Sequence, residues 1–154
     1  MKYLKKILLA FLILFIGIQF IRPVRNESGQ VLTTDITNTF NMPDSVLSVL
    51  KTSCYDCHSN NTNYPWYSNI QPVAWLLDSD VKNGKDNLNF SDFGSYTKRR
   101  QQSKLRSIVS QIQDNKMPIS NYTIMHKNAV LTTRNKALIT SWLNKTRDSL
   151  SSLN

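Results

Sequence analysis

The 154-residue sequence predicts an all-α domain with long loops, preceded by an N-terminal hydrophobic helix. Three observations carry that expectation. Apolar residues recur at helical spacing in several segments, and few stretches alternate with a period of two. The polar stretches between those segments are long, and such loops usually need something to pack around. Two cysteines are too few for a disulfide scaffold, and four glycines are too few for a collagen or glycine-rich array.

The first element is a leader. Lys2, Lys5 and Lys6 precede an apolar run, Ile7–Ile21, broken only by Gly17 and Gln19, and Arg22-Pro23 ends it. Fifteen residues make a helix of about 22 Å, short of the roughly 30 Å hydrocarbon core. By length the run fits a secretory h-region. No small-x-small cleavage site follows, so residues 1–25 read as an uncleaved signal anchor in preference to a removable signal peptide. The lysines then lie on the inner side, and the remainder is expected on the periplasmic side of the cytoplasmic membrane. Five of the 19 basic residues fall in these first 25, with no acid among them, so the rest is near charge balance. Only Lys98-Arg99-Arg100 resembles a basic patch, and no nucleic-acid partner is expected.

Residues 26–41 are polar, rich in Thr and Asn, and read as a linker; the domain proper is expected at 42–154. Pro43 begins a helix carrying Val46, Leu47, Val49 and Leu50 that runs into the cysteines. After a turn-rich stretch, Pro72–Val81 reads as a short helix with Val73, Trp75, Leu76 and Leu77, stopped by Asn83-Gly84. Tyr96–Asn115 carries Leu105, Ile108, Val109 and Ile112 at helical spacing. Thr132 or Thr133 caps a last helix whose apolar face is expected to be Ala137, Leu138, Ser141 and Trp142.

The most informative stretch is Cys54-Tyr55-Asp56-Cys57-His58. Residues i and i+3 share a helix face, so both sulfurs can reach the two vinyl groups of one haem, and His58 can place an imidazole nitrogen on the iron. This is the C-x-x-C-H spacing of c-type haem attachment, one haem per chain. A thioredoxin-like pair would follow a strand, which is absent here. A zinc site would need Cys54, Cys57, His58 and His126, at a spacing unlike that of a finger. For a second axial ligand, Met117 lies just past the Tyr96–Asn115 helix with Pro118 behind it, and a thioether is a donor that haem iron accepts. Met125 and His126 are its competitors.

Beyond this motif, Cys57-His58-Ser59-Asn60, Tyr64-Pro65-Trp66-Tyr67, Ile70, Pro72, Trp75-Leu76, Asp80-Val81, Gly84 and Leu88-Asn89-Phe90-Ser91 form a pattern. Met117-Pro118, Tyr122, His126, Ala129, Leu131-Thr132 and Trp142 continue it, and Gln19-Phe20-Ile21-Arg22-Pro23 begins it. The sequence resembles the haem-binding domain family of small bacterial c-type cytochrome-like proteins of the Bacteroidetes type over nearly its whole length. The resemblance implies a cytochrome c-like helical domain around a covalently bound haem c. Cys54 and Cys57 are then attachment points, His58 the proximal ligand and Met117 the distal one. Asn135 departs from the Glu such a helix start often carries.

A His/Met haem leaves no open position for substrate, so the expectation is a one-electron carrier and not an enzyme, with transient redox partner proteins. A five-coordinate haem sensor or gas-binding protein is the alternative, and a peroxidase-like enzyme using His126 a third. A backbone carbonyl near Pro65 or Pro72 is expected to accept from His58. Trp66, Tyr67, Trp75, Phe90, Phe93, Tyr122 and Trp142 are candidates to screen the macrocycle. Tyr64, Trp66 or Lys116 are candidates to meet a propionate.

Overall fold

The structure, a computed structural model, describes residues 2–152. Met1 of the expected leader and the last two residues of the expected domain lie outside the described residues. The described residues form helices α1 (Lys2–Ile18), α2 (Ile36–Thr39), α3 (Asp44–Ser53), α4 (Tyr55–His58), α5 (Val73–Asn87), α6 (Lys98–Gln113), α7 (Ser120–Met125) and α8 (Thr133–Ser152). Short 3-10 turns lie at Trp66–Asn69, Phe90–Ser95 and Lys127–Ala129. No strand is present among them; the one β-type pairing is an isolated bridge between Glu27 and Asn61. The all-α expectation is met.

Helices α6 and α8 lie antiparallel. Gln102 near the start of α6 donates to Ser151 at the end of α8, while Lys136 near the start of α8 bonds Asn115 just beyond α6. Leu105, Val109 and Ile112 of α6 meet Ile139, Trp142, Leu143 and Leu150 of α8 in one core, joined by Val46 and Leu50 of α3 and by Phe90 and Phe93. Thr132 caps α8 through the Asn135 N–H. The apolar face of α8 is therefore displaced from the expected one: Ile139, Trp142, Leu143, Thr146 and Leu150 are buried, whereas Ala137 and Ser141 are exposed. The spacing i, i+3, i+4, i+7, i+11 is helical, but its phase is set by α6 and α3 and includes a threonine whose hydroxyl is satisfied by the Trp142 carbonyl.

Two further expectations are corrected. Residues 26–41 are part of the folded body and not a linker. Ile36 is fully buried, Asp35 caps α2 through the Thr37 N–H, and the Asn26 side chain donates to the Ser59 carbonyl and to Thr62. Ile36, with Phe40 packed edge-on against Phe93, anchors the hydrogen-bonded Asn and Thr here, although the composition reads as solvent-facing. Helix α5, secondly, does not stop at Asn83-Gly84 but continues to Asn87. A Cβ on Gly84 would come within 2.5 Å of the Cys57 carbonyl oxygen, so the glycine permits close approach of α5 to α4 and is not a terminator.

Helix α1 is apolar with all of its side chains outside the core. It ends three residues before the predicted Ile21, and its 17 residues span about 26 Å. No helix among the described residues is long and apolar enough to cross a membrane. The exit of α1 is fastened to the body. Gln19 exchanges hydrogen bonds with the backbone of Gln71, and the Ile21 carbonyl accepts from both the Gln71 side chain at 2.8 Å and the Trp75 indole at 2.9 Å.

Candidate functional site

Helix α3 ends on Ser53, and its C-cap Cys54 serves as the N-cap of α4. Cys57 and His58 N–H groups both donate to the Cys54 carbonyl, so the Cys54–His58 segment is one turn and puts both sulfurs on one side. Cys54, Cys57 and His58 line a cavity of about 410 Å³, within the size range of small-molecule and cofactor pockets. Both cysteines are free thiols. Burial, and then each other's proximity, pushes Cys54 up to about 12; burial followed by Asp80 and Asp56 pushes Cys57 to about 12. A redox-active C-x-x-C pair needs the opposite shift, towards an accessible thiolate.

His58 is held from behind. Its Nδ1 lies 3.0 Å from the Gly84 carbonyl oxygen and 3.0 Å from that of Leu88. Carbonyls only accept, so Nδ1 carries a proton, and in the neutral imidazole Nε2 is the nitrogen with the lone pair. The orienting carbonyls thus come from the end of α5, not from the segments near Pro65 or Pro72 as expected. They are themselves placed by a small network. Asn89 caps the 3-10 turn after α5 through the Ser91 N–H, and its amide donates to Asn60 at 2.9 Å and to Asp92 at 2.6 Å. The Asn60 N–H in turn donates to the Ser91 hydroxyl. The residues after His58 and those around Leu88 are therefore locked to each other.

Met117 lines the same cavity, with Pro118, Ile119 and Tyr122. Helix α6 is closed by Asn115 in the left-handed region, φ 56°, which asparagine tolerates. The chain then folds back so that the Lys116 and Met117 N–H groups both donate to the Gln111 carbonyl. The position of Met117 follows from how α6 ends.

A profile described as a haem-binding domain matches residues 13–145. The chain belongs to the haem-binding domain family. No curated protein and no solved structure matches the chain. The match starts within the second half of α1, so the family's domain takes in the fastened exit segment as well as the cavity.

The cavity of this haem-binding domain suits the group its family name implies. It offers two thiols on one helical turn, an imidazole whose far nitrogen is already engaged, and a thioether, within a mainly apolar lining. Among the described residues no group of three or more His, Cys, Asp or Glu side chains is placed to hold a bare metal ion, which disfavours the zinc arrangement. His126 does not line the cavity. Its Nε2 lies 2.5 Å from the Tyr67 hydroxyl, and its ring stacks on Tyr122 with centroids 4.2 Å apart. Met125 is 56% exposed and also lies outside the lining.

Of the seven aromatics expected around the macrocycle, only Phe90 and Tyr122 line the cavity. Trp66 is 74% exposed, and Phe93 and Trp142 belong to the core. Tyr64, Trp66 and Lys116 are likewise absent from the lining; the lining lysine is Lys104, and Asp56 and Asp80 also line the cavity. Lining residues to which sequence reasoning assigned no place in the site lie on two helix faces: Asp80, Asn83, Gly84 and Asn87 of α5, and Lys104, Ser107, Ile108 and Gln111 of α6. Both sets repeat at i, i+3, i+4, i+7, the signal that finds an apolar face. Apart from Gly84 and Ile108 these residues are polar, so neither set reads as an apolar face.

Proposed function

We propose that this haem-binding domain is a single-haem c-type cytochrome that carries one electron at a time. Cys54 and Cys57 would hold the macrocycle as thioethers, His58 Nε2 would be the proximal ligand and Met117 Sδ the distal one. The observation that carries this reading is the pairing of His58 Nδ1 with the Gly84 and Leu88 carbonyls, in one cavity with two thiols and a thioether. An imidazole fixed in one tautomer by a backbone acceptor is the arrangement that metal-bound histidines adopt. Bound haem supplies one-electron exchange between ferric and ferrous iron, and thioether ligation raises its potential. The chain's own part is to fix the ligands, limit water at the apolar lining and leave an edge open to transient redox partners.

A peroxidase-like role for His126 lacks support from its position, since that ring is engaged by Tyr67 and Tyr122 outside the cavity. Work on the periplasmic side of the cytoplasmic membrane is part of the proposal. Lys2, Lys5 and Lys6 at the head of the exposed apolar α1 support an export signal, and the bonds from Gln71 and Trp75 to the α1 exit support its retention as an anchor.

The test is an absorption spectrum of the haem-loaded protein. The ferric form should show the weak red charge-transfer band of sulfur-ligated iron, and the ferrous spectrum should not shift on adding carbon monoxide. Met117→Ala should lose the band while His126→Ala keeps it. A band abolished by His126→Ala and untouched by Met117→Ala would reassign the ligand.

A further inference from the structure

Helix α7 and the loop around it follow Met117 directly, and they are weakly attached to the rest of the molecule. Ser120, Asn121, Ile124 and Met125 are exposed, and no α7 residue is buried. Two side-chain bonds tie this segment to the rest of the body. The Tyr122 hydroxyl donates to Asp56 Oδ2 at 2.6 Å, and His126 bonds Tyr67. Asp56 sits between the two cysteines on α4, and its other oxygen accepts from the Asn63 N–H at 3.0 Å, so the carboxylate is held as a fixed acceptor. Tyr122 lines the cavity together with Met117. A hydroxyl on an ionised carboxylate is among the stronger hydrogen bonds a protein makes.

We propose that the Tyr122–Asp56 bond is the clasp that holds the Met117 loop against the cavity, making Tyr122 the positioning residue for the distal ligand. This rests on the reading that Met117 ligates the iron. The clasp joins the loop bearing one axial ligand to the helix bearing the other, five residues from Met117 and two from His58. Losing it leaves covalent attachment and the His58 side intact and lets the thioether withdraw more often, so that a small outside ligand competes better. Loss of one hydrogen bond to a charged group corresponds to about tenfold to a hundredfold in such an equilibrium.

The experiment titrates imidazole into the ferric, haem-loaded full chain and into Tyr122→Phe, Asp56→Asn and Tyr67→Phe. Tyr122→Phe and Asp56→Asn should bind imidazole about tenfold to a hundredfold more tightly than the parent while keeping covalently attached haem. Tyr67→Phe, which removes the partner of His126 and leaves the Tyr122–Asp56 bond in place, should stay within a few-fold of the parent. In the haem-free chain, amide exchange over residues 117–126 should quicken in Tyr122→Phe and not in Tyr67→Phe. Parent-like imidazole binding and exchange in Tyr122→Phe would overturn the clasp while leaving Met117 as ligand. A parent protein lacking the sulfur-to-iron band would overturn both.

Discussion

Gly84 faces Cys57 so closely that a Cβ at that position would lie 2.5 Å from the Cys57 carbonyl oxygen and 3.1 Å from its Cβ. The same residue's carbonyl lies 3.0 Å from His58 Nδ1. One glycine therefore sets both the distance between α5 and α4 and the orientation of the imidazole. The obstructing atom is backbone, which cannot swing aside as a side chain does. Gly84→Ala should destabilise the fold by about 1–3 kcal/mol through overpacking, more than offsetting alanine's better helix propensity. Denaturant midpoints measure this. Gly17→Ala on the open surface of α1, with nothing within 4 Å of its added carbon, is the control expected to show no loss.

Asn89 is buried, and it joins the segment after His58 to the segment that supplies the Leu88 carbonyl. Asn89→Leu removes the cap on the following 3-10 turn and leaves the buried Ser91 N–H without its acceptor. A cost of about 1–3 kcal/mol is expected. Heat or urea unfolding of the haem-free chain gives the number.

Much of this arrangement was legible in the order of residues, and the reasons for the remainder are physical. Leu105, Val109 and Ile112 announce α6, and Cys54, Cys57 and His58 announce the site by spacing alone. The partners of His58 are backbone carbonyls, which leave no side-chain signature. Gly84 carries two plausible meanings, helix stop and close approach, and only the packing of α5 on α4 decides between them. Ile36 is the one fully buried apolar residue in a polar stretch, with Phe40 half-buried behind it, too little to show a period. On α8 the face was misjudged by part of a turn, because Thr146 fills a core position and Ala137 does not.

The thiols give a pH dependence that differs between the two forms of the protein. Both folded-state values stand near 12, raised chiefly by burial from an ordinary 9.0. A group whose folded pKa is raised stays protonated in the native state while the unfolded chain ionises. Stability of the haem-free chain should therefore fall as pH climbs from about 9 towards about 12. Thioethers have no proton to lose, so the haem-loaded chain should lack that part of the slope. Urea midpoints of both forms across this range make the comparison. Equal slopes would contradict the raised thiol values.

Gln71 is almost wholly buried, and its amide N–H₂ donates to the Ile21 carbonyl, which the Trp75 indole also reaches. Gln71→Ala should loosen the segment after α1 and cost about 1–3 kcal/mol. Limited trypsin digestion after Arg25, since Pro23 protects the bond after Arg22, should then run faster than in the parent. Unchanged cleavage would mean that this segment is held by its other bonds, from Asn26 to Tyr64, Ser59 and Thr62.

The intact mass of the full chain, made in a host that exports it and attaches haem to C-x-x-C-H sequences, tests the central claim most directly. The account predicts polypeptide plus one haem, no free thiol, and colour that survives denaturation. A colourless product at the bare polypeptide mass, with Cys54 and Cys57 both open to alkylation, would contradict it.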